Sequence, residues 1–251
     1  MEILDRGLWL SYYNLPEAGR DAYMAWLHGS YIPKILKVPG VLWGAHYKSE
    51  KVPPASRLPH TADPKVPKGA DFVLIFGGGS AHAFSQGAAH YLKNAPGRFE
   101  ADLGDEDRKM LAMRIEERVL ITTEVARRNG PEIAKREGKF APPPCIQLGT
   151  FNGDSVECEE EMLAWYADWR FDALGALPGC VAIRQLMGLV GWAKHGVLYE
   201  FTSRAGRDSH FPRMRELYPA EGEWSNRAVV HLMHSPESPI VATRLWPPVK
   251  S

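Results

Sequence analysis

Apolar and polar positions along this chain follow two different periods. Short apolar or alternating runs bounded by turn residues predict strands at "LWLSYYN" (8–14), "VLWGAHYK" (41–48) and "DFVLIF" (71–76). Between the first two, Tyr23, Leu27, Tyr31, Ile35 and Val38 recur at helical spacing behind Pro16 and Glu17, which suit a helix start. Pro33 should kink or restart that helix. Pro39-Gly40 should end it, because Pro cannot continue the ladder and Gly accepts a left-handed exit. "SAHAFSQGAAHYLKN" reads as a second helix, and the "FGGGS" before it as a tight connection, since it lacks a phosphate-cradle context.

The same order returns later. "AWLHGSYIPKILKVPG" starts at Ala25 and "AWYADWRFDALGALPG" at Ala164, so Ala-Trp, twelve changing residues and Pro-Gly recur at an offset of 139. "IQLGTFN", "CVAIRQLM" and "GVLYEFTS" supply the flanking strands, and a short helix at 211–218 precedes "RAVVHLMH" and "PIVATRLWP". The order β-α-β-β-α-β is that of a ferredoxin-like unit, whose sheet is covered by helices on one face only. The expected fold is therefore α+β, with two ferredoxin-like halves, 1–97 and 146–251, packed sheet to sheet around an enclosed space. Between them (98–145), "DEDRKMLAMRIEERVLITTEVARR" is expected to be a linking helix, followed by the stiff "APPP". Apolar on both sides, that helix is wedged between two surfaces or makes a homodimer contact. The Pro-rich stretch 51–69 reads as a loop over the barrel mouth.

Composition narrows the function. Thirty basic and thirty acidic residues leave no net charge, which argues against nucleic acid or an anionic membrane as partner. No leader or long apolar run is evident, so the chain is expected to be soluble and cytoplasmic. Cys145, Cys158 and Cys180 lack C-x-x-C spacing and read as free thiols, and nine histidines show no metal-binding spacing, so no metal is expected. There is no G-x-S-x-G elbow.

The helix "MLAWYADWRFDALGALPGCVAIRQ" and the later "VLYEFTS" resemble the dimeric α/β-barrel superfamily, especially its EthD-like branch, in which a Trp-Tyr helix runs into Leu-Pro-Gly and a Tyr-Glu strand follows. Such barrels are usually built from two chains, so this one resembles a fused tandem version. The resemblance implies cofactor-free cyclisation, isomerisation, decarboxylation or oxygenation of aromatic compounds, and haem in some branches. It also implies that a His near the cavity mouth can be catalytic, where His82, His90 and His210 stand. The EthD-like helix often carries a His five residues after the Trp; Tyr31 and Arg170 occupy those places here.

Aligning the halves pairs His46 with Gln185, and both are expected to line the cavity, His46 as general acid or base and Gln185 as a substrate-orienting group. Glu200, within "VLYEF", needs either an arginine such as Arg184 or Arg244 or a raised pKa suited to a base. Trp9 and Tyr13, matched by Gln147 and Phe151, would form an aromatic wall, and Tyr13 and Tyr31 can donate to an oxyanion. His28 at the edge of the helical stripe, His231 in "VVHLM" and Arg118, a holder for a substrate carboxylate, complete the candidates. A structural role competes at every one of these positions. The expected function is a cofactor-independent lyase or isomerase, in preference to an oxygenase, acting on a small aromatic or hydrophobic molecule. A non-catalytic ligand-binding or interaction protein is the alternative, and a haem enzyme the third reading.

Overall fold

Nine strands form in the computed structural model, which describes residues 4–50, 58–84, 99–100, 103–211 and 228–249. They are β1 (Gly7–Asn14), β2 (Val41–Glu50), β3 (Phe72–Gly78), β4 (Ile115–Asn129), β5 (Cys145–Gly153), β6 (Cys180–Val190), β7 (His195–Phe201), β8 (Leu232–His234) and β9 (Ile240–Trp246). Two runs, β4-β1-β3-β2 and β9-β5-β7-β6, join along β4–β6 and β2–β9 and close a barrel of eight antiparallel strands. The short β8 extends the edge of β5 beyond β9.

The helical segments show the same offset as the sequence. α1 (Arg20–Trp26) passes through a π turn (Leu27–Tyr31) into α2 (Ile32–Ile35). α3 (Asp105–Leu111) precedes β4. α4 (Val156–Trp165) passes through a second π turn (Tyr166–Arg170) into α5 (Phe171–Gly175), and α6 (Arg204–His210) follows β7. Only the first π turn is followed by a proline, so Pro33 is not its cause; it occupies the start of α2, where an N–H is dispensable. Gly40 and Gly179 leave their helices at φ 90° and 83°, the left-handed exits expected of them. The second helix after "FGGGS" lies outside the described residues except for a short turn at Ala81–Phe84, as do most of 211–218 and part of the Pro-rich loop.

The linking helix is a correction. Only Asp105–Leu111 is helical; Ile115–Asn129 is the strand that completes the first run and carries the barrel seam. Ile115, Val119, Ile121, Thr122, Thr123 and Val125 are β-branched, and that preference together with two waiting strand edges outweighs the helical stripe. Segment 98–145 is therefore not a linker between sheets.

The space expected between the sheets is also corrected. Leu8, Leu10, Tyr12, Tyr47, Ile75 and Leu198, with other inward residues, fill the lumen, as the narrow interior of an eight-stranded barrel requires. Two further apolar clusters lie outside the wall, each between strands and helices. The lumen is capped at both ends by charge. At one end Arg184, fully buried, meets Asp5 (3.1 Å), Glu124 (2.6 Å) and, at 3.7 Å, Glu200. At the other, Arg118 donates to the carbonyls of Pro67, Gly69 and Pro236.

Candidate functional site

A cavity of about 640 Å³ lies outside the lumen, against the helix-side face of β1 and β4. Strand periodicity places Trp9, Ser11 and Tyr13 of β1 on that face, with Glu117, Val119 and Ile121 of β4 beside them. Trp9, Phe84, Val119 and Ile121 make apolar walls, and Leu189 and Val190 of β6 add a rim from the second run. Trp9 is braced by Phe76 and Phe99, with ring centres 5.7 and 5.2 Å away.

One end of the cavity is polar. Trp26 Nε1 donates to Asp107 Oδ1 (3.1 Å) and Lys34 pairs with the same carboxylate, which pins α3 to the first helix and fixes the turn that carries Arg114. Arg114 Nε donates to Tyr23 Oη (2.7 Å) and Nη1 to Glu117 Oε1 (2.6 Å), while its guanidinium lies over the Tyr13 ring at 4.6 Å. Among the described residues its buried Nη2 has no hydrogen-bond partner. Ser11 Oγ also donates to Glu117, and the buried Tyr31 Oη donates to Glu100, which lines the cavity. Burial first, and then the Glu100 charge, hold the Tyr31 phenol well above its usual pKa, so it stays a donor. The arrangement sets two carboxylates and a guanidinium, with a phenol behind one carboxylate, against an apolar chamber. It can accept a proton from a carbon acid and hold the oxygen that gains charge.

Behind this floor runs a hydrogen-bonded chain. His46 Nε2 meets Tyr13 Oη at 3.0 Å and His46 Nδ1 meets the half-buried His28 Nε2 at 2.9 Å. Burial first, then the charges of His28 and Arg114, hold His46 well below the ordinary histidine pKa, and burial lowers His28. His234, beside Phe151 on the outer side of the second run, is lowered to about 4, chiefly by burial. A depressed histidine favours the folded state above its unfolded pKa of about 6.5, and that contribution is lost as pH falls through the window below it. His234 alone should remove about 3 kcal/mol between pH 6.5 and 4. Urea midpoints should accordingly drop over that range, and less in a His234→Gln variant; a flat profile would refute this accounting.

The expected juxtaposition of His46 and Glu200 is corrected. His46 stands on the helix side of β2 with Phe72, whereas Glu200 points into the lumen, paired with Arg136 and near Arg184. They share no cavity. Gln185 also faces the helix side, of the second run, and pairs in register with Val197. Phe151 packs among His195 and His234 in that second outer cluster. His231 lies in the turn before β8, exposed and bonded to Asp154 at 2.9 Å, not within a strand. Arg118 closes the lumen end, so it interrupts no helical stripe. His82 lines the rim of the large cavity, His210 ends α6, and His90 falls outside the described residues. Of the others, Trp9 lines the cavity, Tyr13 and Tyr31 lie against the Arg114 guanidinium, and His46 and His28 continue the chain from Tyr13 away from it. Reading 105–128 as helix hid Arg114 and Glu117; a period of two starting at Glu117 would have aligned it with Val119 and Ile121. Glu100 carries no local signal.

Among the described residues, no group of His, Cys, Asp and Glu is placed to hold a metal ion, and no helix is long and apolar enough to cross a membrane. No protein-family model matches the chain, and no curated protein matches it in sequence. Solved structures share its fold. An anthrone oxidase-like protein is 12% identical, with 96% of this chain and 92% of that one covered at a TM-score of 0.56. A monooxygenase candidate from Fusobacterium nucleatum is 9% identical over 97% and 94%, with a TM-score of 0.55. A chlorite dismutase candidate is 12% identical over 95% and 94%, with a TM-score of 0.51. The similarity is one of fold, over nearly the whole of each chain.

Proposed function

We propose that this chain is a cofactor-independent enzyme, a lyase or isomerase in preference to an oxygenase, that binds a small aromatic or otherwise hydrophobic molecule in the 640 Å³ cavity. The observation that carries this reading is the pairing of ring-walled space with Glu117, Glu100 and Arg114 at one end. Glu117, oriented by Arg114 and Ser11, takes a proton from carbon beside a carbonyl; the C–H electron pair becomes a C=C bond and the carbonyl π pair moves onto oxygen, held by the Arg114 guanidinium. Protonated Glu117 then returns the proton to another carbon or to the leaving group, which restores its carboxylate; Tyr31 holds Glu100 in place from behind, and Trp9 stacks on the substrate ring. Tyr13, His46 and His28 are positioning residues behind Arg114. Glu200, Gln185, Phe151 and His231 have no part in this scheme.

A thermal-shift screen of aromatic ketones, phenols and acids tests it, followed by turnover assays on each hit. Hits whose binding is abolished by Trp9→Ala and that are chemically changed support the enzyme; hits bound but never changed leave a binding protein, and no hit at this cavity sinks both. Haem has no part in this reading: among the described residues, the buried His46 behind the cavity has both ring nitrogens engaged, and His82 stands at the rim.

The same reading takes the two four-stranded runs as ferredoxin-like halves of a fused, EthD-like tandem, supported by the common offset of 139 in Ala-Trp, π turn and Pro-Gly. The divisions then become about 4–130 and 145–246. Each half alone would bare its lumen face, so a chain cut near Pro142 is expected to yield no soluble monomeric half. Cooperative unfolding of an isolated half would count against it.

A further inference from the structure

We propose that a second, smaller cavity at the Arg118 end of the barrel is a binding site for the carboxylate of a small aromatic or branched organic acid. It measures about 300 Å³ and is bounded by Arg118, Lys65, Trp192, Val66, Leu120 and Ser235. The inference does not rest on the function proposed for the larger cavity.

Charge is the first argument. Arg118 is 7% exposed, and among the described residues no carboxylate lies within ion-pair distance of it. Its donors go instead to three backbone carbonyls, its ring neighbour is Tyr12 at 4.4 Å, and among the described residues its Nε has no partner. Carbonyl dipoles and a ring face stabilise a cation without neutralising it. The contrast with the opposite end is direct, since Arg184, Arg127 and Arg136 there each meet a carboxylate. Burial accordingly pulls Arg118 below the usual arginine range.

The surroundings add to the positive sign. Lys65 is exposed, and among the described residues its ammonium makes no ion pair. Asp63 stands across the mouth and accepts from the Lys65 backbone N–H at 2.9 Å; Glu237 is nearby but exposed. Glu117, on the shared wall, is committed to Arg114. Two cations therefore face one uncommitted carboxylate at the cavity wall. Shape is the second argument: Val66, Leu120, Ala193 and the Trp192 ring offer an apolar lining that an inorganic ion would leave empty.

The indole N–H resonances of Trp192 and Trp9, assigned by Trp192→Phe and Trp9→Phe, report separately on the two cavities. Benzoate titrated into the full-length protein should shift the Trp192 signal saturably, while benzamide, its neutral counterpart, and inorganic phosphate should not. Lys65→Gln should weaken benzoate about 2- to 5-fold and Arg118→Gln at least about 10-fold. Should Arg118→Gln fail to fold, Lys65→Glu decides, because reversing an exposed charge must weaken binding more than removing it. Equal response to benzoate and benzamide, no movement at Trp192, or indifference to both Lys65 variants overturns the proposal. Movement at Trp9 alone also overturns it, and would place the acid in the larger cavity instead.

Discussion

Replacing Arg184 with methionine is expected to destabilise the fold by about 3–5 kcal/mol, because it leaves three buried or half-buried carboxylates to share two arginines, Arg127 and Arg136. Arg184, Arg127 and Arg136 balance Asp5, Glu124 and Glu200 at one end of the lumen, and Arg184 joins all three acids while fully buried. A chain of this size should lose roughly 6–20 °C in Tm for that change. Arg184→Lys, which keeps the charge and loses the planar fork, should fall between. The pH dependence follows from Asp5. Burial opposes its ionisation, but Arg184 and Arg127 outweigh that and hold its carboxyl below the ordinary range. A depressed carboxyl favours folding above its unfolded pKa of about 3.9 and loses that contribution as pH falls further. The gap between wild type and Arg184→Met should therefore narrow below pH 4. A variant within 1 kcal/mol of wild type at pH 7 would show that the cluster is not what holds this end closed.

The second large effect is catalytic. Once a converted substrate is identified, Glu117→Gln is expected to lower kcat by about 100- to 10,000-fold, the range general acid–base catalysis supplies. The amide oxygen can still accept from Arg114 Nη1, so the cavity should keep its shape and KM should change little. Arg114→Lys should cost about 100-fold or more through the lost oxyanion contact. His46→Gln, acting through Tyr13, should shift the pH profile with a smaller loss. Near-full turnover in Glu117→Gln removes it as the base, and a rise in KM at constant kcat makes it a binding group only.

Much of the architecture was legible in local pattern. Apolar runs marked seven of the strands, and the repeated Ala-Trp and Pro-Gly located both long helical segments and their left-handed exits. β4 was misread because its residues satisfy a helical stripe as well as an alternating one, and only the free edges of β1 and β6 choose between them. The position of the cavity followed from that error. With β4 placed as a helix, Arg114 and Glu117 had no surface to share with Trp9 and Tyr31.

Determined by the sequence alone, then, were the period of each segment, the turns between them and the duplicated order, since all of these depend on neighbours within a few residues. Which face of each strand looks inward is a different kind of property. An alternating strand has two equivalent faces until closure decides which set fills the lumen and which meets the helices. Closure turned His46 outward to Tyr13 and Glu200 inward to Arg136, and brought Trp9 and Glu100 to the segment that carries Arg114 and Glu117. Those contacts span dozens of residues, and packing of the whole barrel, not any local preference, sets them.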